Sequence, residues 1–161
     1  MIRKGTAEDA GRLGEIARTV ARGLHAEGID QWSEVYPSAA DFRRDAEAGG
    51  LFVWEEGGIL RGSLSLLPDD DAAYRAIAWP EGFAFVIHRV MVDPACRKTG
   101  IGAALLAEAV RTARCQGAVL LKVDTHPDNP RMRRFLEKAG FREVGWLASI
   151  HRVAYAKSLE E

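Results

Sequence analysis

The stretch that most limits how this chain can fold runs from residue 83 to residue 123. Phe83 to Val92 reads as a long strand that stops at Asp93-Pro94. A basic turn with two glycines follows, and then Ile101, Leu105, Leu106, Ala109, Val110 and Ala113 repeat at helical spacing. Ala118 to Val123 is a continuous apolar run, the pattern of a central strand. Two strands joined by a helix predict a parallel pair, because parallel neighbours need a long crossover.

The flanking segments add antiparallel strands around this crossover. Ile2 to Lys4 predicts a short strand, and Thr6 with Asp9 predicts the capped start of a helix carrying Leu13, Ile16, Ala17, Val20, Ala21 and Leu24. A loop with Gln31, Trp32, Tyr36 and Pro37 leads to a second helix from Ser38 to Gly49-Gly50. Leu51 to Glu55 and Ile59 to Leu67 predict a hairpin turning at Gly57-Gly58. Pro68 to Asp71 reads as a solvated turn. Asn129-Pro130 opens a helix that stops at Gly140, and Phe141 to Leu147 and Ile150 to Lys157 predict two closing strands. The expected fold class is α/β in the α+β sense: a mixed, mostly antiparallel twisted sheet of about seven strands with four helices. At 161 residues, one domain over 1–161 is expected.

Composition narrows the setting. Apolar residues make up 47% and charged residues 28% of the chain, as in an ordinary soluble protein. The net charge of −1 offers no basic field for nucleic acid, and no apolar run is long enough for a membrane. The start, Met1-Ile2-Arg3-Lys4-Gly5, opens neither a secretory h-region nor a transit pattern, and Cys96 and Cys115 lack metal or redox spacing. A cytoplasmic protein is expected, with no nucleic acid or membrane partner.

The chemistry concentrates in Arg97-Lys98-Thr99-Gly100-Ile101-Gly102. A helix start exposes unpaired N–H groups and the positive end of its dipole. Gly100 and Gly102 let an anion approach the backbone, Arg97 and Lys98 add charge, and Thr99 adds a hydroxyl. Together they read as a pyrophosphate cradle or, more plainly, as a strand-to-helix turn with a solvated basic pair. A Walker loop is absent, and the third glycine of a dinucleotide fingerprint is missing because Leu105 stands in its place.

The arrangement resembles the GCN5-related N-acetyltransferase (GNAT) family, in particular an uncharacterised bacterial subgroup. Its acyl-CoA loop, Arg/Gln-x-x-Gly-x-Gly/Ala, is matched at every position by Arg97 to Gly102. Val90-Met91-Val92-Asp93-Pro94 resembles the fourth strand and its exit. Asn129 with Phe135-Leu136-Glu137-Lys138-Ala139-Gly140-Phe141 resembles the second signature. The resemblance implies the GNAT fold and acetyl-CoA as co-substrate, with no metal. Backbone groups of Val90, Met91 and Val92 would pair with the pantetheine arm, and Asn129 and Phe135 would contact it. It implies transfer to an amine of a small molecule or peptide, and a homodimer stays open. One departure matters: the tyrosine that many members use as general acid is Leu136 here, which cannot donate a proton. That departure keeps a non-catalytic acyl-CoA-binding or sensor domain as the alternative.

A base is needed to take the ammonium proton. His126 and Asp124 share a strand face at the end of the fifth strand, and His88 lies mid-strand in the fourth. The sequence predicts His126 as the base, open to water and oriented by Asp124, with His88 more enclosed. Gln31, Trp32 and Tyr36 are expected to form an acceptor wall or a hydrophobic clasp. Arg89 would hold an acceptor carboxylate or pair with an acid on the next strand.

Overall fold

The computed structural model describes residues 1–160. Seven strands form a mixed sheet in the order β1-β2-β3-β4-β5-β7-β6. They are β1 (Ile2–Lys4), β2 (Leu51–Glu56), β3 (Ile59–Pro68), β4 (Ala84–Val92), β5 (Leu120–Thr125), β6 (Arg142–Leu147) and β7 (Arg152–Ser158). Four helices accompany them: α1 (Ala10–Ala26), α2 (Ala39–Glu47), α3 (Ile101–Cys115) and α4 (Pro130–Lys138). The predicted elements are all present at nearly their predicted bounds. Short 3-10 turns over Ala72–Ala76, Pro94–Cys96 and Ala148–Ile150 were not predicted. No helix among the described residues is long and apolar enough to cross a membrane.

The chain forms two compact units. One comprises Met1–Leu67 and His88–Ala109, the other Pro68–Ile87 and Val110 onward. In the first, β1, β2 and β3 form an antiparallel meander, with Arg3 opposite Val53 and Val53 opposite Ser63. Helices α1 and α2 cover it. Leu13, Ile16, Ala17, Val20 and Leu24 recur on one side of α1 and meet Phe42, Leu51, Val53 and Met91 in a single apolar cluster. Ser38 starts α2 through a capping box with Asp41, as its spacing requires.

In this unit α3 starts hard against β3, and a glycine makes that approach fit. A Cβ on Gly62 would lie 2.8 Å from the Met91 carbonyl oxygen and 3.2 Å from Ile101. The Asp93 N–H donates to the Arg61 carbonyl at 2.7 Å, so the exit of β4 is tied to β3. These two contacts fix where the loop between β4 and α3 begins and ends.

In the second unit β4 pairs in parallel with β5, Ala84 with Leu120 and Val86 with Lys122. Strand β7 lies antiparallel between β5 and β6. Tyr74, Val86, Leu147 and Ala154 form its core, with Ile77, Trp79 and Val144 packed on it. The predicted solvated turn over residues 68–71 is tied down instead. Asp69 accepts from the Lys122 ammonium at 2.5 Å, and Asp71 accepts from the Ala73 N–H. Lys122 is 9% exposed on its strand, so a carboxylate has to come to it.

Candidate active site

The loop after β4 is built from the turn chemistry of its own residues. Asp93 accepts from the Ala95 N–H at 3.0 Å and starts a short 3-10 turn, Pro94–Cys96. Arg97 is extended, Lys98 is left-handed at φ +64°, and Gly100 is left-handed at φ +86°. Helix α3 then opens at Ile101, and its first internal bond runs from the Ala104 N–H to the Gly100 carbonyl. The N–H groups ahead of it, including those of Ile101, Gly102 and Ala103, lie in the part of a helix that has no intrahelical acceptor. A Cβ on Gly100 would meet no atom within 4 Å, so the backbone there can be approached closely. Lys98, Thr99 and Gly100 are exposed. A loop of this geometry can receive an anion, and its residues would fit a pyrophosphate. One expected donor is engaged within the protein: the Thr99 hydroxyl gives its proton to the Cys96 carbonyl at 2.5 Å.

Shortly before the loop, β4 carries one left-handed residue. Arg89 has φ +52° in mid-strand, a region that costs a residue with a Cβ of order 1–3 kcal/mol. Its side chain is tied down on three sides. Nε and Nη2 each donate to the Asp45 carboxylate of α2 at 2.7 Å, and Nη1 donates to the Tyr36 hydroxyl at 3.1 Å. Asp45 also accepts from the Ser65 hydroxyl of β3 at 2.6 Å. The pair is 12% and 4% exposed at its two side chains. Burial is the largest single influence and works against the Arg89 cation, but the hydrogen bonds and charges of Asp45 and Tyr36 together outweigh it, so its pKa is raised. Of the two readings of Arg89, the structure shows the ion pair, with the acid on α2 rather than on a strand. Val90 and Val92 of this strand are half-buried and Met91 is in the core.

The expected acceptor residues separate. Trp32 packs against the α1 and α2 cluster. Tyr36 is 43% exposed, with its hydroxyl on Arg89. Gln31 is half-buried.

In the second unit, Asp124 accepts from the Tyr74 hydroxyl at 2.6 Å, and Arg152 approaches it at 4.0 Å. Tyr74 is the residue that sequence reasoning missed. Burial, followed by the Asp124 charge, pushes its pKa far above the ordinary phenol range, so it stays a donor. A polar tyrosine inside an apolar stretch was the only signal for it.

The expected exposures of the two histidines are reversed. His126 is 5% exposed, whereas His88 is half-buried. The turn after β5 folds back on His126, and the Asp128 N–H donates to its Nδ1 at 3.0 Å. The His151 ring packs edge-on at 5.3 Å and itself meets Trp146 at 4.9 Å.

The second signature is mostly structural in its visible contacts. Asn129 is 6% exposed and caps α4 by accepting from the Met132 N–H at 3.1 Å. Phe135 is half-buried, and Leu136, at the position of the missing acid, is 1% exposed. Arg133 donates to the Tyr155 hydroxyl at 2.9 Å and to Glu143 at 2.7 Å. No cluster of three metal-ligating side chains occurs among the described residues.

Comparison with known proteins agrees with this picture. The model of the acetyltransferase (GNAT) family matches residues 20–141. A curated relative, an uncharacterised N-acetyltransferase of Methanocaldococcus jannaschii, is 32% identical over 71 residues, which is 42% of this chain and 31% of the relative. The chain thus spans about a third of that relative's length. Among solved structures, a GNAT-family acetyltransferase from Streptococcus agalactiae superposes with a TM-score of 0.87 at 22% identity, covering 100% of this chain and 96% of that one. The PaiA N-acetyltransferase of Thermoplasma acidophilum, in complex with coenzyme A, gives a TM-score of 0.78 at 21% identity, with 98% of each chain covered. At these identities the two structures speak for the fold.

Proposed function

The chain belongs to the acetyltransferase (GNAT) family, and from that premise we propose that it is a single-domain, acetyl-CoA-dependent N-acetyltransferase acting on an amine of a small molecule or peptide. The observation that carries the reading is the loop: left-handed Lys98 and Gly100 deliver the chain to the open N-terminus of α3, with Arg97 and Lys98 beside it. That is where a diphosphate is best held. Backbone groups of Val90 to Val92 would pair with the pantetheine arm, and Asn129 and Phe135 would add contacts. One of the fold neighbours was solved with coenzyme A bound, which is consistent with this assignment.

Acetyl-CoA supplies an activated acetyl group as a thioester. The acceptor must present a neutral amine, so one protein group must take a proton. A nitrogen–carbon bond then forms as the carbon–sulfur bond breaks. We assign the proton to His88. It lies two residues before Val90, so the base and the proposed pantetheine-pairing backbone share one strand. His126 is assigned the opposite role. With Nδ1 accepting from Asp128, its neutral form carries hydrogen on Nε2 and is a donor. The thiolate departs without a tyrosine, because Leu136 is a core residue. Thiol pKa values near 8.5 make that a handicap rather than a bar.

Isothermal titration with acetyl-CoA, ATP and NAD, followed by thiol release over an amine panel, tests this reading. Acetyl-CoA alone should bind, and at least one amine should release thiol. Binding without turnover on any amine would favour the acyl-CoA sensor, the reading that buried Leu136 supports. The proposal includes a cytoplasmic setting; sedimentation equilibrium reads whether the chain is a homodimer.

A further inference from the structure

Arg89 is a nearly buried side chain held at every guanidinium nitrogen. Four parts of the chain meet at its guanidinium: β4 itself, Asp45 on α2, Ser65 on β3 through Asp45, and Tyr36 in the loop before α2. A charged group this enclosed holds only with its partner in place. The forked edge of Arg89, Nε with Nη2, is fully engaged by one carboxylate, so that edge is closed to a substrate carboxylate. Meanwhile the backbone of the same residue sits at φ +52° inside a strand. A left-handed residue in a strand turns the chain locally out of the pleat, and so re-aims the residues that follow it. Those residues are Val90, Met91 and Val92.

We propose that Arg89 is a positioning residue for acetyl transfer: locked to Asp45, it holds the left-handed turn of β4 that aims the Val90–Val92 backbone, and through Tyr36 it also fixes the proposed acceptor loop. The proposal rests on the acetyltransferase reading above. It couples two sites through one buried ion pair. The cofactor side depends on the Asp45 bonds, and the acceptor side on the Tyr36 bond. It also explains the residue types. Lysine has no fork to grip both carboxylate oxygens while reaching Tyr36, and glycine would ease the backbone but hold nothing.

The test uses the full chain. Titration calorimetry gives the acetyl-CoA Kd, thiol release gives kcat and KM, and thermal unfolding sets a temperature at which every variant is folded. Arg89→Lys should weaken acetyl-CoA binding by at least about tenfold while folded, the scale of loss that misplacement brings. Tyr36→Phe should raise the acceptor KM at least about threefold and leave the acetyl-CoA Kd unchanged, as loss of one positioning hydrogen bond would. If Arg89→Lys does not fold, the double variant Arg89→Gly with Asp45→Ala removes both charges together and is measured instead, with the same tenfold expectation. Wild-type Kd and kcat/KM in a folded Arg89 variant, with only the melting temperature lowered, would show a purely structural ion pair and overturn the proposal. A wild-type chain that binds no acetyl-CoA would overturn the acetyltransferase reading itself, before any substitution is made.

Discussion

The Asp128 backbone N–H donates to Nδ1 of His126 at 3.0 Å, and that bond constrains what the histidine can do. A neutral imidazole that accepts at Nδ1 carries its proton on Nε2. To act as a base, His126 would have to give up the Asp128 bond and become a cation at 5% exposure. His88 is half-buried on the strand that carries the proposed pantetheine-pairing backbone. We therefore expect His88→Ala to lower kcat/KM by at least about tenfold and to remove the acidic limb of the pH profile, as loss of a general base does. In His126→Ala that limb should persist. A profile lacking its acidic limb only in the His126 variant would restore His126 as the base.

The loop gives a sharper expectation. Gly102 is in the first turn of α3 and is half-buried. A glutamate there puts a carboxylate at the anion cradle. Its charge suits the helix dipole, so the fold should survive. Acetyl-CoA affinity should fall by about a hundredfold or more, since like charge is added where a diphosphate is held. Calorimetry on Gly102→Glu reads this directly, and unchanged affinity would move the cradle elsewhere.

Much of this was legible in order along the chain, and the reason is local. The β4–α3–β5 crossover shows as an apolar run, a helical stripe and another apolar run. The starts of α2 and α4 show as Ser38 with Asp41 and as Asn129-Pro130, because caps are built from neighbouring residues. What stayed hidden is long-range. Arg89 and Asp45 are 44 positions apart, and Tyr74 and Asp124 are 50 apart. A signal for the first pair was present: Asp45 is three positions after Phe42, on the inner face of α2, and an acid there needs a cation. The left-handed Arg89 had no local signal at all, since arginine is not chosen for that conformation. His126 was misjudged because strand ends are usually wet, and the turn through Asp128 covers this one.

Two serines on one face of β3 should respond oppositely. Ser63 is buried, and its hydroxyl has no partner; Ser65 donates to Asp45 at 2.6 Å. Replacing Ser63 by alanine removes an unsatisfied polar group, so stability should be unchanged or higher by up to about 1 kcal/mol. Ser65→Ala removes a bond to a buried carboxylate and should cost about 1.5–3 kcal/mol. Urea unfolding of both variants decides the matter. Equal losses would mean that Ser63 has a role its surroundings do not reveal.

Acid stability should trace in part to Asp9. Arg3 grips its carboxylate at 2.8 and 2.9 Å, and the Thr6 N–H donates to it at 2.8 Å. The Arg3 hydrogen bonds lower the Asp9 pKa, against a smaller opposing effect of burial. A carboxyl depressed in the folded chain stabilises the fold at any pH above its unfolded value, about 3.9. That stability is lost as pH falls from there through the folded value. Arg3 is 31% exposed, so screening by solvent keeps the pair modest, and the cap bond to Thr6 adds to it. We expect Asp9→Asn to cost about 1 kcal/mol at pH 7. The difference from wild type should shrink as pH drops below about 4, because the protonated wild-type carboxyl then resembles the amide. Melting temperatures of both proteins from pH 7 to pH 3 give the comparison. A gap that stays constant across that range would place the acid sensitivity on other carboxylates.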